Sequence, residues 1–284
     1  MDARLQLRVQ RYGWDRAAPS YELAWKQALA PATVGVLSAA ELQAGERVLD
    51  VACGSGLLTR EAFRVVAAGG GEVVGTDLSE AMLAEAAARS PECSFVRADA
   101  QQLDSVVAAD HFDKVLCGLG LMYMSDPEAA LTTMTRCLRP GGRMAVSVWG
   151  ERRDCGWAAI FSIVDARVRS EVCPLFFRLG TPQVLEAALR GAGLVDVESS
   201  QVSTMLRYAD ADAACDAAFL SGPVALAYSR FDEATRLSVR AEYLTSIEPW
   251  RAGERFEIPG TFVVAAGRRP VLLRTDGPVG TVPT

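Results

Sequence analysis

The chain has 284 residues, half of them hydrophobic, and 29 Lys and Arg against 35 Asp and Glu give a net charge of −6. That length supports one large domain, or one domain with a substantial insertion. The cations are scattered, so the basic footprint that nucleic acid requires is missing, and no run of about eighteen apolar residues offers a membrane span. The expectation is a soluble cytoplasmic protein, monomeric or homodimeric, that meets a small-molecule partner.

The seven cysteines, at 53, 93, 117, 137, 155, 173 and 215, form no CxxC pair and read as reduced thiols. His111 is the only histidine. A Cys/His metal site would therefore rest on cysteines far apart in sequence, and no metal is expected.

Along the chain, Tyr21 to Leu42 has a helical pattern, broken at Pro31, with Tyr21 and Trp25 on one side. It makes residues 1–45 a helical cover. Residues 46–207 then alternate short apolar runs with helical stretches. Strands are predicted at Val48–Val51, Glu72–Thr76, Ser94–Arg97, Lys114–Cys117 and Arg143–Val148, and helices at Leu57–Ala68, Glu80–Arg89 and Pro127–Leu138. Such alternation predicts an α/β fold, a Rossmann-like doubly wound and mostly parallel sheet. Ligands in these sheets sit outside the carboxyl ends of the strands, in this chain the loops after Val51, Thr76, Arg97, Cys117 and Val148.

Further helices are predicted at Trp157–Arg169 and Thr181–Ala192, then a strand at Val195–Val202. A last strand at Thr261–Ala266, within residues 257–270, follows two helical stretches, Ala211–Leu220 and Asp232–Ile247. If the two strands pair, residues 208–256 form a helical cap inserted between them, placed where a substrate enters. The tail 271–284 has little to bury and is expected to be loose.

The stretch VLDVACGSGLLTREAF runs a strand through a glycine turn into a helix. Gly54 and Gly56 suit a backbone that must approach a ligand closely, and the following helix start can accept an anion. Thr59 stands where the dinucleotide fingerprint has its third glycine, which weakens a nicotinamide cofactor. Asp50, just ahead of the turn, would repel a diphosphate and attract an ammonium. Asp77 closes the second strand where a carboxylate can hold ribose hydroxyls. Together these describe S-adenosylmethionine (SAM). The structural alternatives are a satisfied buried carboxylate for Asp50 and a helix cap for Asp77.

The runs VLDVACGSG, VVGTDLSEAML, FVRADAQQL, FDKVLCGLGLMYMSDPEAAL and CLRPGGRMAVSVWG, in this order and spacing, resemble class I SAM-dependent methyltransferases. Within these the chain is similar to the type 11 small-molecule group around the ubiquinone and menaquinone C-methyltransferases. The resemblance implies that Asp50, Ala52, Gly54 and Gly56 line the methionine half of SAM, with Cys53 also among the cofactor-binding residues. It implies Asp77 at the ribose, Leu78 and Met82 on the adenine, and Asp99 and Ala100 at the adenine amino group, with Gln101 also among the cofactor-binding residues. Cys117, Gly118 and Leu119 would lie beside the sulfonium, with Tyr21 closing the site. Tyr21, Tyr123 and Trp149 are candidates for a part in catalysis; Tyr123, Trp149 and Trp157 line the acceptor site or fill the core beneath the cap. His111 sits at the wrong end of its strand to serve as base and is expected in a surface loop.

The implied activity is methyl transfer to a phenol, an enol carbon, an amine or a thiol, leaving S-adenosylhomocysteine (SAH). A non-catalytic SAM-binding partner protein and a SAM-fold enzyme of other chemistry stay open as alternatives.

Overall fold

The computed structural model describes residues 3–169 and 172–271. The chain begins with α1 (Ala3–Ala40), about 57 Å long at the usual rise. The parallel core then alternates β1 (Arg47–Val51), α2 (Leu57–Val66), β2 (Glu72–Asp77), α3 (Glu80–Arg89), β3 (Ser94–Arg97), β4 (Phe112–Gly118), α4 (Pro127–Cys137) and β5 (Leu138–Trp149). After α5 (Ala159–Asp165) and α6 (Pro182–Gly191) comes the long strand β6 (Val195–Tyr208). Next follow α7 (Ala211–Leu220), α8 (Ala225–Ser229), α9 (Glu233–Ile247), the two-residue β7 (Arg251–Ala252) and β8 (Arg255–Arg268).

The sheet order is β3-β2-β1-β4-β5-β8-β6, with β7 paired to β8. The first five strands are parallel, and β8 enters antiparallel between β5 and β6. β1 is buried after Arg47, because helices cover both faces of a parallel sheet. β6 and β8 pair from Val195 with Arg268 to Tyr208 with Phe256, so α7, α8 and α9 lie in the connection between two paired neighbours.

The sequence expectation for α1 needs correction at both ends. The helix starts eighteen positions before Tyr21 and runs unbroken through Pro19 and Pro31. Each proline removes one helical hydrogen bond, to the carbonyls of Asp15 and Gln27. Pins from the rest of the chain outweigh that loss. Lys114 Nζ donates to the carbonyls of Ala40 and Glu41 at 2.8 and 2.9 Å, and Arg143 Nε donates to Ala39 at 2.6 Å. Two buried cations thus satisfy the last carbonyls of α1 and complement its dipole. The helix expected at Trp157–Arg169 is shorter, since the chain turns after Asp165 and Arg167 bonds back to Ile163 at 2.7 Å. The expected loose tail lies, apart from an exposed Val271, outside the described residues.

Candidate active site

Past the end of β1 the backbone turns sharply. Ala52 takes φ +56°, Gly54 +54° and Gly56 +82° before α2 begins. A left-handed alanine costs on the order of 1–2 kcal/mol, a strain that marks functional turns. Leu119, after β4, carries the same strain at φ +59°.

The two glycines have separate duties. At Gly54 an added Cβ would meet nothing within 4 Å, whereas at Gly56 it would come within 3.2 Å of Ala86 Cβ in α3. Gly54 leaves room for a ligand beside the turn; Gly56 lets α2 approach α3 and does not line the cavity.

Asp50 has no solvent exposure. Thr59 Oγ1 donates to its Oδ2 at 2.6 Å, and its Oδ1 has no partner among the described residues. Burial pushes its carboxyl up to about 7, against the pull of the Thr59 hydroxyl. The residue that spoils the dinucleotide fingerprint is therefore the one that fixes this carboxylate. Sequence reasoning used Thr59 only as a missing glycine.

Asp77 Oδ2 accepts the Gly54 N–H at 2.9 Å and Oδ1 accepts the Ser79 N–H at 2.9 Å. Burial raises its pKa, opposed by these amides. It is not the cap of α3: Ser79 is, its Oγ accepting the Met82 N–H at 3.1 Å. Asp99 Oδ1 accepts the Gln101 N–H at 3.0 Å, and Ser125 Oγ donates to Gln101 Oε1 at 3.1 Å.

These loops line a cavity with about 1170 Å³ of empty space, part of it open solvent. Of the residues singled out from sequence, Tyr21, Asp50, Ala52, Cys53, Gly54, Asp77, Leu78, Met82, Asp99, Ala100, Gln101, Gly118, Leu119 and Tyr123 line it. Gly56, Cys117 and Trp149 do not. Cys117 is fully buried one residue before Gly118, and successive strand residues face opposite ways. Burial pushes its thiol up to about 12.

Among the described lining residues three are carboxylates and none is Lys, Arg or His. Two more buried lining oxygens, Thr76 Oγ1 and Ser147 Oγ, share with Asp50 Oδ1 the lack of a partner. The wall thus combines negative charge with unspent polar atoms, a poor host for a diphosphate and a good one for a cation bearing hydrogen-bonding groups.

Sequence reasoning missed the amino-terminal half of α1. Gln6, Gln10 and Trp14 all face this cavity. Ser79 Oγ donates to Asp15 at 2.6 Å, Arg60 donates to Glu22 at 2.7 Å, and Arg89 lies 3.4 Å from Glu22. These bonds strap α1 across the loops that follow β1 and β2. The signal available was the spacing of Trp14, Tyr21 and Trp25 along one helical stripe.

A smaller, narrow cavity adjoins the first, its roughly 540 Å³ of empty space including open solvent, and shares Trp14, Tyr21, Leu29, Leu119 and Tyr123 as walls. Trp149 stands here, packed against Trp157 and Phe262 with ring centroids 4.8 and 4.2 Å away. Burial holds the phenols of Tyr21 and Tyr123 protonated, so each is a neutral donor. His111 is half-exposed at the amino-terminal end of β4, its Nδ1 3.3 Å from Arg47 Nη1, and lines neither cavity. Among the described residues no group of three His, Cys, Asp or Glu is placed to hold a metal ion. No described helix is long and apolar enough to cross a membrane.

Comparison with known proteins places this geometry. Residues 48–142 match the methyltransferase domain family. An uncharacterized protein of Mycobacterium tuberculosis is 35% identical over 137 residues, 47% of this chain and 48% of that protein. The demethylmenaquinone methyltransferase of Beutenbergia cavernae is 40% identical over 139 residues, 49% of this chain and 54% of the enzyme. The chain spans about half the length of the curated relatives it matches. In fold, a phosphoethanolamine N-methyltransferase of Haemonchus contortus, solved with phosphomonomethylethanolamine and SAH, superposes at TM-score 0.58 with 18% identity. That match covers 95% of this chain and 60% of the other. With its strand order and its glycine turn, the chain has the class I methyltransferase fold, and it is similar to the methyltransferase domain family over residues 48–142 and to the quinone C-methyltransferases.

Proposed function

We propose that this protein transfers a methyl group from SAM to a small-molecule nucleophile, with the cofactor in the larger cavity and the acceptor in the smaller. The observation that carries this reading is a deep cavity lined by Asp50, Asp77 and Asp99 and by no cationic side chain among the described residues. SAM, when bound, supplies a methyl carbon activated by its sulfonium.

The residues fit that ligand. Asp50 Oδ1, buried and unpartnered, would take the amino group of the methionine moiety. Asp77, oriented by the Gly54 and Ser79 amides, keeps lone pairs for the ribose hydroxyls. Leu78 and Met82 would pack on the adenine, and Asp99 and Gln101 would meet its polar edge. Residues 208–256 would act as the substrate cap and residues 1–45 as the cover. Tyr21 and Tyr123 cannot serve as bases while they hold their protons. Their part is to orient the acceptor and exclude water, so catalysis rests on proximity and desolvation.

Calorimetry with SAM, SAH and NADH tests the reading. SAM and SAH are expected to bind, NADH not, and Asp77→Ala should weaken SAH about tenfold or more by removing charge-assisted hydrogen bonds. NADH binding with silence from SAM and SAH would refute it. SAH release with a panel of phenols, enols, amines and thiols then identifies the acceptor.

A further inference from the structure

Asp50 has little around it to hold a negative charge. Neither Asp50 nor Thr59 has any solvent exposure. Thr59, in the first turn of α2, supplies both donors to the carboxylate: its hydroxyl bonds Oδ2 at 2.6 Å and its backbone amide reaches the same group. Oδ1 is left without a partner among the described residues. The surrounding groups do not compensate. Asp77, at the end of the neighbouring strand, pushes the Asp50 carboxyl further up, and burial keeps the thiols of Cys53, Cys93 and Cys117 protonated. Among the described residues α1 and α2 bring no charged side chain to the cavity wall, and the loop after β3 brings only another acid, Asp99. A carboxyl so placed holds its proton more tightly than one in water.

The Thr59 hydroxyl acts on this group in two ways. A hydrogen bond to an ionised acceptor is about twice as strong as one to a neutral acceptor, so the hydroxyl favours the carboxylate and opposes the effect of burial. It also ties Oδ2 to α2, which leaves Oδ1 as the oxygen offered to the cavity that Asp50 lines. A glycine at this position, the third of the dinucleotide fingerprint, could do neither.

We infer that Thr59 is a positioning residue for the cofactor's amino-acid head: its hydroxyl orients Asp50 and readies the carboxyl to give up a proton as an ammonium enters, so that binding is coupled to proton release. The O–H bond of the Asp50 carboxyl breaks, the proton leaves to the buffer, and the carboxylate that remains pairs with the ammonium. No other bond changes. That the ammonium belongs to SAM or SAH rests on the proposed function.

The test titrates the full chain with SAH by calorimetry from pH 6 to pH 8, in phosphate and in imidazole, two buffers whose heats of ionisation differ. At pH 7 about half a proton should leave per SAH bound, read from the difference in heat between the buffers, and SAH should bind about tenfold more weakly at pH 6 than at pH 8. Asp50→Asn should abolish the difference between buffers. Thr59→Val removes the hydroxyl. It should move the midpoint of the affinity profile up by about one pH unit and weaken SAH by about fivefold or more at pH 7, while Thr59→Ser restores the wild-type midpoint. A purely structural role for Thr59 would weaken SAH equally at every pH. That result, a heat independent of buffer in the wild type, or a buffer difference that survives Asp50→Asn overturns the inference. Should Thr59→Val fail to fold, Thr59→Ala carries the same expectations. Wild-type chain that binds SAH with no proton released removes this inference alone; wild-type chain that binds no SAH at any pH removes the proposed function and this coupling with it.

Discussion

Replacing Asp50 by Asn separates the stability of the fold from the demands of its ligand. The carboxyl has an ordinary value of 3.8 and is raised to about 7 in the fold, chiefly by burial. A raised acid group holds its proton more tightly folded than unfolded. Its contribution is therefore most favourable below about pH 4 and is lost as pH climbs through 7. The penalty is about 2 kcal/mol at pH 5 and about 4 kcal/mol at pH 8, so this one group withdraws about 2–3 kcal/mol of stability between them.

Asn has no such titration. Its amide keeps an acceptor for Thr59 and leaves both N–H donors unpaired, a cost that does not depend on pH and cancels when the two pH values are compared. Thermal or urea unfolding of wild type and Asp50→Asn at pH 5 and pH 8 should show the variant gaining about 2–3 kcal/mol relative to wild type at the higher pH. That corresponds to roughly 3–5 °C in Tm for a chain of this size. The same variant should lose affinity for SAH, because the ammonium would face a neutral amide. A stability difference between the two proteins that is the same at both pH values would refute the reasoning that Asp50 is desolvated.

Two further substitutions probe the assignments around the turn. Gly56→Ala places a Cβ in left-handed backbone and within 3.2 Å of Ala86 Cβ; it should cost about 1–3 kcal/mol in urea unfolding while the folded fraction binds SAH within about twofold of wild type. Unchanged stability would contradict the packing role. Cys117→Ala should lower stability by about 1 kcal/mol through lost burial and leave SAH affinity within about twofold, since Cys117 is fully buried and does not line the cavity. A tenfold loss of affinity would return Cys117 to the ligand.

The strand-and-helix alternation from Val48 to Val148, the glycine turn and the acids at 50, 77 and 99 were legible because their meaning is local. In a parallel sheet every loop that follows a strand falls at the same edge, so residues fifty positions apart converge without any knowledge of tertiary contacts. What tertiary structure decided is whatever depends on register or on distant partners. Parity along β4 put Gly118 and not Cys117 in the cavity wall, and the approach of α3 chose Gly56 for packing and left Gly54 in the wall. α1 passes two prolines because Asp15, Glu22 and its last carbonyls are held by Ser79, Arg60, Lys114 and Arg143, none of them near in sequence. The ring-walled cavity gathers Trp14, Trp149, Trp157 and Tyr243 from four separate parts of the chain. Its wall is a property of that assembly, since each aromatic residue read alone could have been ordinary core.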